Sequence, residues 1–134
     1  MKLEEQVLSI EQIKELQELG FDVNKYASMC WVAYTSDEEP YEKEYSLSIL
    51  DEFCYESASL EPTPTMTIGD IIEVLPKAIN DDGELYVLSI EIRNNNYYKV
   101  AYNDYLFCNY AYNSITLISA LFDTLKWVIE NKYL

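Results

Sequence analysis

Apolar residues near the C-terminus recur at the spacing of one helix face, and this pattern constrains the fold more than any other feature of the sequence. The residues of that face are Ile115, Ile118, Leu121, Phe122, Leu125, Val128 and Ile129. Intervals of three and four residues place side chains on one side of an α-helix. The pattern therefore predicts a long amphipathic helix over residues 115–129.

Two shorter helices are predicted by capping signals at their N-termini. Ser9 is followed three residues later by a glutamine, and Thr67 is followed at the same distance by an aspartate. Both pairs have the spacing of a reciprocal cap, in which each side chain bonds the other residue's backbone N–H. Apolar residues then recur at helical intervals, until Gly20 ends the first helix and Pro76 ends the second.

Four strands are predicted in two pairs. An apolar run over residues 28–35 is followed by alternating apolar and polar residues over 45–49, and the second pair covers residues 85–92 and 97–102. The segment between the pairs, residues 52–66, shows no period and is interpreted as a linker. The resulting order is α-β-β-α-β-β-α. It predicts a single α+β domain over residues 1–134, in which an antiparallel sheet of about four strands packs with three helices.

Charge limits the kinds of partner that this chain can bind. Its 24 acids and 9 bases give a net charge of −15, and Arg93 is the only arginine. Contacts to nucleic-acid phosphates or to an anionic membrane need a basic surface, so we expect no direct nucleic-acid partner and no membrane partner.

The N-terminal residues lack a signal-peptide pattern, which predicts a cytoplasmic protein. Three widely spaced cysteines, Cys30, Cys54 and Cys108, favour reduced and mostly buried thiols.

Several common catalytic and binding chemistries have no residues to support them here. The chain has no histidine, no paired cysteines at metal-ligand spacing, and three glycines that form no phosphate-binding motif. We therefore predict no catalytic residue, no cofactor and no metal site. A small hydrolase that uses a pair of carboxylates stays open as an alternative, because 24 acids allow many pairs and specify none. A structural subunit of an oligomer is a second alternative.

Acidic residues are concentrated in the first half of the chain. Residues 1–61 hold 15 of the 24 acids and only 4 of the 9 bases. The first predicted helix carries glutamates at intervals of four and three residues, which place them on one face, and Lys14 is the only base expected to compensate them. A second acidic segment covers residues 37–44. The predicted partner-binding residues are Glu11, Glu15, Glu18, Asp37, Glu38, Glu39, Glu42 and Glu44.

Aromatic residues offer a second type of surface. Six tyrosines interleave with asparagines over residues 96–113, which is compatible either with a recognition surface or with tyrosines that pack the sheet. Trp31 and Trp127 each lie inside an apolar pattern and are predicted to belong to the core.

Segments that cover about half of the chain resemble a family of small, acidic, uncharacterised proteins carried by phages, prophages and mobile elements of anaerobic gut bacteria. The matching segments are Leu8-Ser9-Ile10-Glu11-Gln12 with Glu15-Leu16 and Leu19-Gly20, Ala27-Ser28-Met29-Cys30-Trp31-Val32, Pro64-Thr65-Met66-Thr67-Ile68 with Asp70-Ile71 and Leu75-Pro76, and Ala120-Leu121-Phe122 with Leu125-Lys126-Trp127 and Glu130-Asn131. The resemblance implies a mobile-element setting and no particular activity. Together with the charge, it leads us to expect a non-enzymatic accessory protein whose acidic surface binds and blocks a basic or nucleic-acid-binding protein.

Overall fold

Two antiparallel sheets and four α-helices make up the part of the chain that the computed structural model describes, which is residues 2–35, 39, 43–50, 62–94, 97–105 and 109–134. In chain order the elements are a 3₁₀ helix Leu3–Gln6, α1 Ile10–Glu18, α2 Val23–Tyr26, β1 Met29–Thr35, β2 Lys43–Ile49, β3 Thr63–Thr65, α3 Ile68–Val74, β4 Ala78–Asp81, β5 Glu84–Arg93, β6 Tyr97–Asn103, β7 Asn109–Ser114 and α4 Leu117–Glu130. The predicted α+β class is confirmed. The arrangement of the strands differs from the prediction. The described residues form seven strands in two sheets, whereas one sheet of about four strands was expected.

The smaller sheet has three strands in the order β2-β1-β3. Antiparallel pairing of β1 with β2 sets Trp31 opposite Leu47 and Ala33 opposite Tyr45, which confirms the first predicted strand pair. The strand β3 lies inside the segment interpreted as a linker, so that interpretation is wrong for residues 63–65. Three residues are too few to show a period, and Pro64, which has no N–H, is tolerated because β3 is an edge strand. Residues 51–61 lie outside the described part of the chain.

The larger sheet is a meander of four strands in the order β4-β5-β6-β7. Its central pair confirms the second predicted strand pair, with Ile90 opposite Val100. The strands β4 and β7 were not expected from the sequence. β4 is only four residues long, and it joins β5 through a tight turn in which Asp82 and Gly83 both have positive φ, 54° and 83°. That conformation suits the twist of a two-residue hairpin and favours glycine.

Both predicted capping signals form as expected. At the start of α1, Ser9 Oγ accepts a hydrogen bond from the Gln12 backbone N–H at 3.2 Å, and the Gln12 side chain accepts one from the Ser9 N–H at 2.9 Å. At the start of α3, Thr67 and Asp70 make the same reciprocal pair at 3.1 and 2.9 Å. These bonds satisfy backbone donors that have no partner inside the helix, which fixes where each helix begins.

The helix α4 packs against the larger sheet and α3, and it supplies much of the core. The predicted helix over residues 115–129 is thereby confirmed, except that Thr116 caps it and Ile115 lies before it with 80% of its surface exposed. The fully buried side chains that meet in this core include Leu8 before α1, Tyr102 from β6 and Leu125 from α4. The core therefore joins the helices to the larger sheet, and the half-buried Trp31 of the smaller sheet packs against it.

The expectation of reduced thiols is wrong for Cys30. Its side chain in β1 is completely buried, as expected, but it is part of a disulfide. The other two cysteines, Cys54 and Cys108, lie outside the described residues. Disulfides persist mainly in oxidising compartments, so this bond does not support the cytoplasmic setting that the N-terminal sequence predicts.

Candidate functional site

The N-terminal end of α1 is held on the three-stranded sheet by hydrogen bonds to a single residue, Leu8. The Leu8 N–H donates to the Met66 carbonyl at 3.0 Å. The Leu8 carbonyl accepts two bonds, one from Trp31 Nε1 and one from Thr65 Oγ1, each at 2.8 Å. Because all of these groups are buried or half-buried, the bonds fix the first turn of α1 beside β1 and β3.

The three glutamates predicted for one face of α1 lie there and are exposed. Glu11, Glu15 and Glu18 face solvent, whereas Ile13 and Leu16 on the other side of the helix are completely buried. The helix therefore presents carboxylates on the face that does not contact the core. We call Glu11, Glu15 and Glu18 the α1 acidic face.

Positive charge compensates this face only in part. Lys126 Nζ on α4 lies 3.9 Å from Glu15 Oε1. This contact was not expected from the sequence, which predicted Lys14 as the only base that compensates the glutamates. In the part of the chain that the structure describes, neither Glu11 nor Glu18 forms an ion pair. Two of the three carboxylates are therefore available to an external cation.

The second acidic segment is described only in part. Glu39 and Glu44 are exposed, and the remaining predicted residues, Asp37, Glu38 and Glu42, lie outside the described residues. Glu44 precedes Tyr45 in β2, and successive side chains of a strand point to opposite faces of the sheet. Since Tyr45 lines a cavity together with Glu11, Glu44 projects from the other face of the sheet. The structure does not bring Glu44 into the α1 acidic face.

That cavity lies between the first turn of α1 and the three-stranded sheet. Its volume is about 240 Å³, and its walls are formed by Ser9, Ile10, Glu11, Trp31 and Tyr45. Most of this lining is apolar or aromatic, and Glu11 is the one charged residue among the part of it that the structure describes. The sequence did not predict this cavity, because its lining comes from three separate segments. No spacing of residues along the chain indicates that these segments lie next to each other. We call it the α1 cavity.

The alternative of a carboxylate-pair hydrolase requires two carboxylates in one cavity. Asp70 and Glu73 do line a cavity of about 470 Å³ together with Lys25. However, Asp70 Oδ2 accepts bonds from the Thr67 N–H and from the N–H and hydroxyl of Ser28, at 2.9, 3.2 and 2.5 Å. These bonds join α3 to the start of β1, so the carboxylate serves the fold and is poorly placed to act as an acid or base.

A raised carboxyl pKa occurs at a different place, on α4. Partial burial raises the pKa of Asp123 above its ordinary value, and the charge of Glu15 raises it further, while Lys126 acts in the opposite direction. Neither Asp123 nor Glu15 lines the cavity that holds Asp70. The raised pKa and the carboxylate cavity therefore do not coincide.

The tyrosines of the 96–113 region divide between the two interpretations, because Tyr102 is buried in the core whereas Tyr97, Tyr105 and Tyr110 are exposed. Tyr102 is completely buried, its hydroxyl donates to the Pro76 carbonyl at 2.8 Å, and burial raises its pKa to about 12. Tyr110 stacks on Trp127 with ring centroids 4.6 Å apart and donates to Asp81 at 2.9 Å. Tyr105 differs, since 83% of its surface is exposed.

A cavity on the larger sheet gathers basic residues. Its volume is about 490 Å³, and its lining includes Arg93 and Lys99. Arg93 Nη2 lies 2.8 Å from Glu91 Oε2. In the strand register, Glu91 also lies directly opposite Lys99. The carboxylate therefore offsets much of the positive charge in this cavity.

Comparison with known proteins places this chain in no family, since no family model, curated protein or solved structure matches it. Among the described residues, no helix has the length and apolar character needed to cross a membrane.

Proposed function

We propose that this protein is a non-enzymatic accessory protein that binds a basic protein partner through the α1 acidic face. The observation that carries the proposal is the exposure of three carboxylates on one face of a firmly held helix, of which only Glu15 forms an ion pair among the described residues. Unpaired surface carboxylates of this kind attract a basic partner and speed its association.

The spacing of the carboxylates favours a partner that normally binds nucleic acid. Side chains four residues apart on a helix lie about 6 Å apart, which is similar to the separation of successive phosphates on one strand. The α1 acidic face could then occupy the basic groove of such a protein and block it. A net charge of −15 keeps this chain itself from binding nucleic acid.

The mobile-element setting belongs to the same proposal and is supported by the resemblance of the helix-capping and core segments described above. Its test is the genomic neighbourhood of the gene. Phage or mobile-element genes on both sides support the setting, and housekeeping operons on both sides would argue against it.

The binding proposal is tested by replacing Glu11, Glu15 and Glu18 together with glutamine. The probe is a fluorescently labelled 15-residue peptide of arginine, lysine and glycine, titrated with the full chain at low and at physiological salt. Three exposed contacts of about 0.5 kcal/mol each predict a roughly tenfold loss of affinity in the triple variant. Binding of the unaltered chain should also weaken as salt is added.

A matched triple variant controls for general electrostatics. Glu73, Glu84 and Glu130 are exposed and form no ion pair within the described residues, so changing them to glutamine removes the same charge elsewhere. We expect this control to lose less than about twofold in affinity. Equal weakening by both triples would show that net charge alone attracts the peptide, and the proposed site would be wrong. Circular dichroism of both variants checks that the fold is unchanged.

A further inference from the structure

We infer that the α1 cavity binds an arginine side chain of the basic partner. The inference rests on the proposed function and adds to it the residue that the partner inserts. Its basis is a small cavity, open to solvent, that has two aromatic walls and one carboxylate at the edge of the α1 acidic face.

Aromatic walls favour a cation in this cavity. Trp31 lies opposite Leu47 in the register, and Tyr45 is two residues from Leu47 on the same strand, so Trp31 and Tyr45 are diagonal neighbours on one face of the sheet. A guanidinium group close to the face of tryptophan or tyrosine is attracted by the negative charge of the ring's π-system. Tyr45 is well exposed, with 42% of its surface open, so an incoming side chain can reach it.

Polar groups around the cavity also favour a cation over an anion. Among the described residues, Glu11 gives the lining its only formal charge. Two donors near the cavity are already used, because Trp31 Nε1 donates to the Leu8 carbonyl and the Gln12 N–H donates to Ser9 Oγ. The partial positive charge of a helix N-terminus is about half a unit, which is smaller than the full negative charge of the carboxylate.

Size and rigidity suit one side chain. A volume of about 240 Å³ lies below the range of roughly 300–1,000 Å³ that is typical of small-molecule sites. The hydrogen bond from Trp31 to Leu8 holds the indole in place before any ligand arrives, which reduces the entropy lost on binding. Arginine suits this geometry better than lysine, because its planar group can stack on an aromatic ring and bond a carboxylate through two N–H groups.

The test uses the ¹⁵N-labelled full chain and N-acetyl-Gly-Arg-Gly-amide as the probe. The signal of the Trp31 indole N–H is followed by NMR, with the Trp127 indole signal as an internal reference. We expect the arginine peptide to shift the Trp31 signal in a saturable way, and the neutral citrulline analogue to leave it unchanged. A larger or equal shift with the citrulline or lysine peptide, or an equal shift at Trp127, would overturn the inference.

Variants locate the binding on the cavity walls. Glu11→Gln should weaken the arginine peptide about twofold, as expected for the loss of one exposed charge contact, and Tyr45→Leu should weaken it by a similar factor. Glu84→Gln, on the larger sheet, should have no effect. Unchanged affinity in both cavity variants would contradict the inference.

Failure of this inference can be told apart from failure of the proposed function. If the 15-residue basic peptide loses affinity for the α1 triple variant but never shifts the Trp31 indole, the acidic face binds and the cavity does not. If the basic peptide binds both triple variants equally, the acidic face itself is refuted, whatever happens at Trp31.

Discussion

At the scale of single residues, Asp123 is the side chain whose ionisation opposes folding. Its carboxyl is partly buried on α4, and both this burial and the nearby Glu15 raise its pKa. The folded chain therefore holds the Asp123 proton more tightly than the unfolded chain does. Ionised Asp123 costs stability at neutral pH, and that cost disappears as the pH falls through the folded pKa toward the ordinary value of 3.8.

Replacing Asp123 with asparagine should consequently stabilise the protein at pH 7, because the variant carries no buried charge there. The gain in the free energy of unfolding should shrink as the pH is lowered. Urea unfolding of both chains at several pH values measures it, with Glu84→Gln as an exposed control that should change little. A variant that is less stable at pH 7 would show that the attraction between Asp123 and Lys126 outweighs the cost of burying the carboxylate.

At the scale of secondary structure elements, an aromatic cluster attaches α4 and the C-terminus to the larger sheet. Trp127 is half-buried and contacts three tyrosine rings, Tyr110 at 4.6 Å, Tyr133 at 5.4 Å and Tyr102 at 5.9 Å between centroids. Both tryptophans were predicted to belong to the core. They pack against it while remaining half-exposed.

Trp127→Ala should lower the free energy of unfolding by about 2–3 kcal/mol, somewhat less than for a fully buried tryptophan, through lost ring contacts and the space left behind. Urea unfolding followed by circular dichroism measures this change. Trp127→Phe should recover much of it, since a smaller ring can still stack on Tyr110. A loss below about 1 kcal/mol for the alanine variant would mean that the cluster contributes little to holding α4.

Secondary structure elements were predicted correctly where the sequence signal, a cap or a helical period, lies within one short segment. The caps at Ser9 and Thr67 and the helical period of α4 each lie within one segment, and each forms as expected. The missed strands β3 and β4 are short or carry weak apolar contrast, and β3 in addition pairs with a strand that is distant in the chain, β1. The α1 cavity depends on the same kind of distant contact, between Glu11, Trp31 and Tyr45.

At the scale of the whole molecule, the net charge bears on the kind of partner, whereas the Cys30 disulfide and the N-terminal sequence favour different cellular compartments. A net charge of −15 with most acids in the first half fits a protein that binds basic partners. The disulfide at Cys30 fits an oxidising compartment, while the cytoplasmic setting stays a prediction from the N-terminal sequence.

The most direct measurement of the central proposal is an NMR map of the unaltered ¹⁵N-labelled chain titrated with the 15-residue basic peptide. If the α1 acidic face is the binding site, the backbone signals of Glu11, Glu15 and Glu18 should shift most and saturate together. The signals of the three exposed control residues on other elements, Glu73, Glu84 and Glu130, should stay within the noise. Shifts of similar size at both sets of glutamates, or largest shifts away from α1, would contradict a localised acidic binding site.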